Sequence, residues 1–298
     1  MKWQQFTGHA AFFLSMLIVV AVVLGYRLAS RTKQRRSPLA GKQLGHVPGQ
    51  QLQQRIDKHT DDMDHGLQVM MLALPLLFMV WVTGKMDWAT VRVGAGEVLY
   101  VVGWVLFFGF GFLLFRRSHR LREQAKDGLL AERVTGMQLN RLMARGCIVM
   151  HDLPADGFNI DHVVISPRGI YAVETKSFRK PRSSGKQSAT VEFDGAALRF
   201  PDFMDRSAVE QATRQAKWLA SELRQSLGSD YPVIAALALP GWYVQQDSSV
   251  WYSDGVKVFS PMGNGCNFMF KDSVENIDAT RRMLASKALA LRYPKLDA

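Results

Sequence analysis

Cysteine is nearly absent from this 298-residue chain. The two present, Cys147 and Cys266, exclude a disulfide framework and a four-cysteine zinc site. Both read as small buried hydrophobes in a reducing compartment. Extended disorder and a collagen-like repeat are also excluded, because 48% of residues are hydrophobic and only 21% charged. Charge is missing altogether from three long runs, 10–26, 67–83 and 98–115. With no ionisable residue inside them, the runs lack the usual mark of a transporter or proton path. No zinc finger or comparable module for reading bases is visible.

What is present divides the chain into unlike halves. Residues 1–115 hold 11 Lys and Arg against 6 Asp and Glu, a net of +5. Residues 116–298 hold 26 against 20, a net of +6, which completes the total of +11. Each apolar run is about as long as the 17-residue minimum for a helix crossing a bilayer. The sequence therefore predicts an α-helical transmembrane region of three helices within residues 1–115, acting as an anchor. Gly103, Gly109 and Gly111 suit close helix packing there. The connection after the first run carries eight Lys and Arg between Arg27 and Lys58, and Arg116, Arg117, Arg120, Arg122 and Lys126 follow the third. The rule that basic flanks stay inside then puts the N-terminus outside and the C-terminal half in the cytoplasm, as a multi-pass protein of the inner membrane. The lipid bilayer is the expected partner of this half.

After Arg116 the pattern becomes a mixed α/β alternation. Residues 120–145 have helical spacing with an interruption expected near Gly136. Strand-like runs follow at 147–150, 160–165 and 170–176. Ser166-Pro167-Arg168-Gly169 turns the last two into a hairpin. Asp194-Gly195 joins a second pair, 191–193 and 197–200. An amphipathic helix spans 207–227, and the continuous apolar run 233–239 reads as a strand buried on both faces. Trp251 and residues 256–259 read as edge strands, and 272–291 as a closing helix.

The chemistry concentrates on the first hairpin. Period-two alternation sends Glu174 and Lys176 to one strand face, and a short turn brings Asp161 across from Glu174. Two carboxylates at a sheet end form a hard-oxygen pocket suited to Mg²⁺ or Mn²⁺, with Asp161 and Glu174 as the ligands. An ammonium two residues on offsets charge developing on a phosphate, or orients water. The competing reading is a surface ion pair. His162 faces the opposite side of its strand and reads as a packing or hydrogen-bonding histidine. Arg179, Lys180, Arg182 and Lys186 form a loop without acids directly after the candidate strand, where a phosphate backbone would lie. Arg206 and Arg214 extend that surface.

Residues 124–260 resemble the nuclease-related domain (NERD), a branch of the PD-(D/E)xK nuclease superfamily. The likeness rests on Gly128-Leu129-Leu130-Ala131-Glu132, on Ile160-Asp161-His162-Val163-Val164, on Gly169 to Lys176 (GIYAVETK), and on Glu210-Gln211-Ala212. Where the family pattern has Asn-Pro ahead of the glutamine, this chain has Ser207-Ala208. The resemblance implies a restriction-endonuclease-like α/β domain over residues 116–298, with a central mixed sheet flanked by helices. It implies Asp161, Glu174 and Lys176 as catalytic core, Glu132 as supporting carboxylate, and Gln211 as a substrate or packing contact. The function it implies is a metal-dependent nuclease acting on DNA before RNA. The alternative is a catalytically silent module that binds nucleic acid or a protein partner.

Overall fold

Two tight turns set the architecture of the C-terminal half. In the computed structural model, which describes residues 49–84, 95–181, 189–271 and 277–293, the strands in chain order are β1 (Ile148–Pro154), β2 (Asn159–Ser166), β3 (Gly169–Thr175), β4 (Thr190–Phe193), β5 (Leu198–Arg199), β6 (Met204–Asp205), β7 (Val233–Ala238), β8 (Tyr243–Gln246) and β9 (Lys257–Phe259). Ser166 Oγ accepts the Gly169 N–H at 3.1 Å and donates to the Gly169 carbonyl at 3.0 Å, folding β2 back onto β3. At the second turn Asp194 Oδ1 accepts the N–H groups of Ala196 and Ala197, and Gly195 takes a φ of +97° that glycine adopts without strain.

One sheet has the strand order β1-β2-β3-β7-β9, and a smaller one has β6-β5-β4-β8. The first two pairs of the large sheet are antiparallel, while β3, β7 and β9 run parallel. Parallel pairing requires a crossover, supplied by α3 (Ser207–Leu227) between β3 and β7. Period-two alternation sorts the core. Val163, Ile165, Ile170 and Ala172 pack on one face with Ala216, Leu219 and Leu223 of α3. Val164, Tyr171 and Val173 pack on the other with Leu139, Cys147 and Met269. Both cysteines are buried and unpaired.

The expectation of a three-helix transmembrane region is corrected. Among the described residues, no helix is long and apolar enough to cross a membrane. The first run, 10–26, lies outside the described residues. The second is the latter half of α1 (Gln50–Gly84), whose earlier turns carry Arg55, Asp57, Lys58, Asp61, Asp62 and Asp64. The third begins α2 (Ala95–Asn140), which continues without a break through the basic segment from Arg116 to Lys126. A charge-free window sees one stretch, whereas each helix joins an apolar stretch to a charged one. Leu99, Leu106, Phe110 and Leu113 of the third run are exposed. The membrane part of the fold class and the multi-pass localisation with an outside N-terminus fall with this finding. A mixed sheet with flanking helices remains.

The described chain divides into two units, residues 59–84 with 95–120, and residues 49–58 with 121–293. Within the first, a Cβ on Gly66 would stand 3.1 Å from the backbone of Gly111 and of Phe115. Of the three glycines expected to allow close packing, Gly111 does so, with Gly66 opposite, while no described residue comes within 4 Å of a Cβ on Gly103 or Gly109. Within the second unit, α2 passes Gly136 as regular helix and tightens only at Arg141–Arg145. An interior glycine costs about 1 kcal/mol against alanine, too little to break a packed helix. Trp251, expected in a strand, ends the one-turn α4 (Ser248–Trp251). A second short helix, α5 (Phe268–Lys271), follows β9. The closing helix is α6 (Ala279–Ala290), begun by Asp278, whose side chain accepts the Arg281 N–H.

Candidate active site

The registers His151↔His162 and Leu153↔Ile160 on one side of β2, and His162↔Val173 on the other, put Asp152, Asp161 and Glu174 at one level across three neighbouring strands. At this level the ladder is replaced by side-chain chemistry. Asp161 Oδ2 accepts the Thr175 N–H at 2.7 Å, which fixes that carboxylate against β3. Asp152 adopts a left-handed φ of 49°, uncommon for a strand residue and a mark of local strain.

Glu174 is 3% exposed, and both of its oxygens are engaged. Oε1 lies 2.7 Å from Lys176 Nζ and accepts Gln211 Nε2 at 2.8 Å. Oε2 accepts Gln215 Nε2 at 2.5 Å. Lys176 Nζ donates in turn to Gln211 Oε1 at 2.9 Å, closing a triangle of Glu174, Lys176 and Gln211. Gln211 and Gln215 are one helical turn apart on α3, so one helix face grips both carboxylate oxygens.

Glu132, on α2, is 9% exposed, and its pKa is pushed up to about 8. Burial is the main cause. The negative charges of Asp152 and Glu174 add to it, against partial relief from Lys176 and Arg55. Asp161 is also held well above the ordinary carboxylate range, first by desolvation and then by Glu174 and Glu132. These carboxylates line one cleft of about 690 Å³, with Lys176 and Gln211 beside them. Burial is the first cause for both groups and neighbouring negative charge the second, and a cation would relieve that second part.

The donor chemistry fits a hard divalent ion. Mg²⁺ is commonly held by one or two carboxylates, with water and substrate phosphate completing its shell, and Asp161 and Glu174 supply that number. Among the described residues, no three His, Cys, Asp or Glu side chains already stand together as a coordination set.

The structure brings together five of the residues singled out from sequence, namely Glu132, Asp161, Glu174, Lys176 and Gln211. The basic loop is different. Arg179 forms an ion pair with Asp127 at 2.6 Å, and Lys180 Nζ sits 5.8 Å from the Trp242 ring centroid. Arg182 and Lys186 lie outside the described residues. His162 is fully buried behind the sheet, with its Nδ1 2.8 Å from His151 Nδ1. Burial lowers the pKa of His151 to about 4 and holds His162 well below its usual value, so both are neutral near pH 7.

Sequence reasoning missed Gln215 and Asp152. The signal for Gln215 was its i+4 spacing from Gln211. The signal for Asp152 was that β1 runs to Pro154 rather than stopping at Met150, which sets Asp152 level with Asp161. Gln215→Leu leaves Glu174 Oε2 buried without its donor. It is expected to destabilise the fold by about 1–3 kcal/mol in denaturant titrations; an unchanged midpoint would show that the contact contributes nothing.

No curated protein and no solved structure matches the chain. Residues 127–240, which contain Glu132, Asp152, Asp161, Glu174, Lys176, Gln211 and Gln215, match the family model of NERD, the nuclease-related domain.

Proposed function

We propose that this cleft hydrolyses phosphodiester bonds of nucleic acid with the help of a divalent cation. The observation that carries this reading is the Glu174–Lys176 pair at 2.7 Å, set in a cleft where burial and neighbouring charge raise the pKa values of Glu132 and Asp161. Asp161 and Glu174 are the residues that would hold Mg²⁺ or Mn²⁺. When bound, the ion would polarise the phosphate and lower the pKa of a coordinated water. The chain's own residues do the rest. Lys176 presents a fixed ammonium that offsets charge on the phosphate in the transition state and orients the attacking water. Gln211 and Gln215 hold the Glu174 carboxylate in one orientation, and the Thr175 N–H does the same for Asp161. Glu132, with a pKa of about 8, carries or releases a proton near neutral pH and supports the cluster.

On this reading the substrate is DNA ahead of RNA, while the NERD match itself speaks only for a nuclease-related domain. A second reading, a silent binding module, has one observation in its favour, namely that Glu174 Oε1 is already shared by Lys176 and Gln211. The purified full chain, given supercoiled plasmid, linear DNA and RNA, separates the two. Cleavage in Mg²⁺ or Mn²⁺ that stops in EDTA is the expected result. Salt-dependent binding with no cleavage in either metal would favour the module.

A further inference from the structure

The cleft has a wall built from outside the matched region. Leu52 and Arg55, in the first turns of α1, line it together with Gly128 and Glu132 of α2. Their position is fixed by packing within one unit. Leu52 and Ile56 pack with Ala125 and Leu129. Gly128 makes the approach possible, because a Cβ there would stand 3.1 Å from Leu52 Cδ1. Gly49, at a φ of +80°, starts the helix against Leu129, and Arg133 Nη2 donates to Gln53 Oε1 at 3.4 Å. Substituting a side chain at Gly49 would meet Leu129 in a backbone region that favours glycine.

Arg55 differs from the other cations near the site. Lys176 is bound to Glu174 and Gln211, and Arg179 to Asp127. Arg55 is exposed, and its guanidinium has no hydrogen bond or ion pair among the described residues. It nevertheless stands close enough to ease the charge on Glu132. A planar guanidinium whose donors no described residue takes up, at the edge of a carboxylate cleft, matches the bidentate geometry of a phosphate.

We infer that Arg55 is a substrate-binding residue of this site, clamping a backbone phosphate of the nucleic acid next to the one that is cut. The inference rests on the nuclease reading, since it assigns a substrate contact to that cleft. It also makes residues 49–58 a working part of the catalytic domain rather than a linker leading to it.

The test uses the full chain and a fluorescently labelled DNA duplex. Binding is followed in EDTA across a salt series, and cleavage is followed in Mg²⁺. Arg55→Gln is expected to weaken binding about 10-fold and to lower the slope of log K against log salt by about 1. Arg55→Lys should restore the slope but only part of the affinity. A second arm repeats Arg55→Gln in a Glu132→Gln background. A phosphate clamp keeps its effect there, whereas a mere counter-ion for Glu132 loses it. An unchanged salt slope, or an effect that disappears in that background, overturns the inference while leaving the nuclease reading intact. A wild-type chain that neither binds nor cuts nucleic acid overturns both.

Discussion

Glu132→Gln is expected to make this protein more stable at pH 8 by about 4 kcal/mol, and by about 1 kcal/mol or less at pH 5. The sign follows from the direction of the shift. In the fold the Glu132 pKa rises to about 8 from an ordinary 4.5. Between those values the folded state binds more protons than the unfolded one, so stability falls as pH rises through the window. Glutamine keeps the shape of the protonated carboxyl and carries no charge to desolvate, so the variant escapes the loss. The two histidines act in the opposite sense. Their folded pKa values lie below 6.5, so their contribution is complete above that pH and is lost on acidification. Comparing variant with wild type at each pH removes the histidine effect, which both share. Denaturant titrations at pH 5, 6.5 and 8 measure the gap. A gap that does not widen with pH would mean that Glu132 is not a charge-crowded carboxylate. Because a cation relieves the same crowding, Mg²⁺ is expected to narrow the gap at pH 8. The added stability should come with reduced cleavage, as strained charge at a working site is commonly exchanged for activity.

Lys176→Met should separate chemistry from metal affinity. In the proposed mechanism the ammonium meets developing phosphate charge, and the loss of one such preorganised interaction costs on the order of 10²–10³-fold in rate. Methionine keeps the apolar stem and leaves the Asp161 and Glu174 oxygens in place. Thermal stabilisation by Mn²⁺ is therefore expected to survive in Lys176→Met and to be lost in Glu174→Gln, while both variants lose cleavage. If Lys176→Met cuts at the wild-type rate, the lysine is a structural partner of Glu174 and nothing more. If Glu174→Gln keeps both the metal response and cleavage, Glu174 is not a ligand.

The hairpin that carries the site was legible because its determinants are local. Pro167 and Gly169 mark the turn, and period-two alternation places Glu174 and Lys176 on one face. Helix α3 was legible from its apolar spacing, and the run 233–239 from its lack of polar residues. What could not be read depends on contacts distant in sequence. Arg55 reaches the cleft only because α1 lies against Gly128, more than seventy residues later in the chain. Gln215 looked like any polar residue on an amphipathic helix until the structure put Glu174 Oε2 beneath it. Trp251 and Val250 have strand-forming side chains, yet Val250, Trp251 and Tyr252 donate their N–H groups back to Asp247 and Ser248, which closes a helical turn. The apolar runs misled for a different reason. Absence of charge inside a window says nothing about the helix to which the window belongs, and both described runs continue into charged turns.

The most direct test of the central claim is the rate at which the purified full chain nicks supercoiled plasmid in Mg²⁺ and in EDTA, measured beside the Glu174→Ala, Lys176→Ala double variant. The expected result is cleavage by the wild type in Mg²⁺, none in EDTA, and a fall of about 10³-fold or more in the double variant. Cleavage that persists in EDTA, or that the double variant retains, would contradict it.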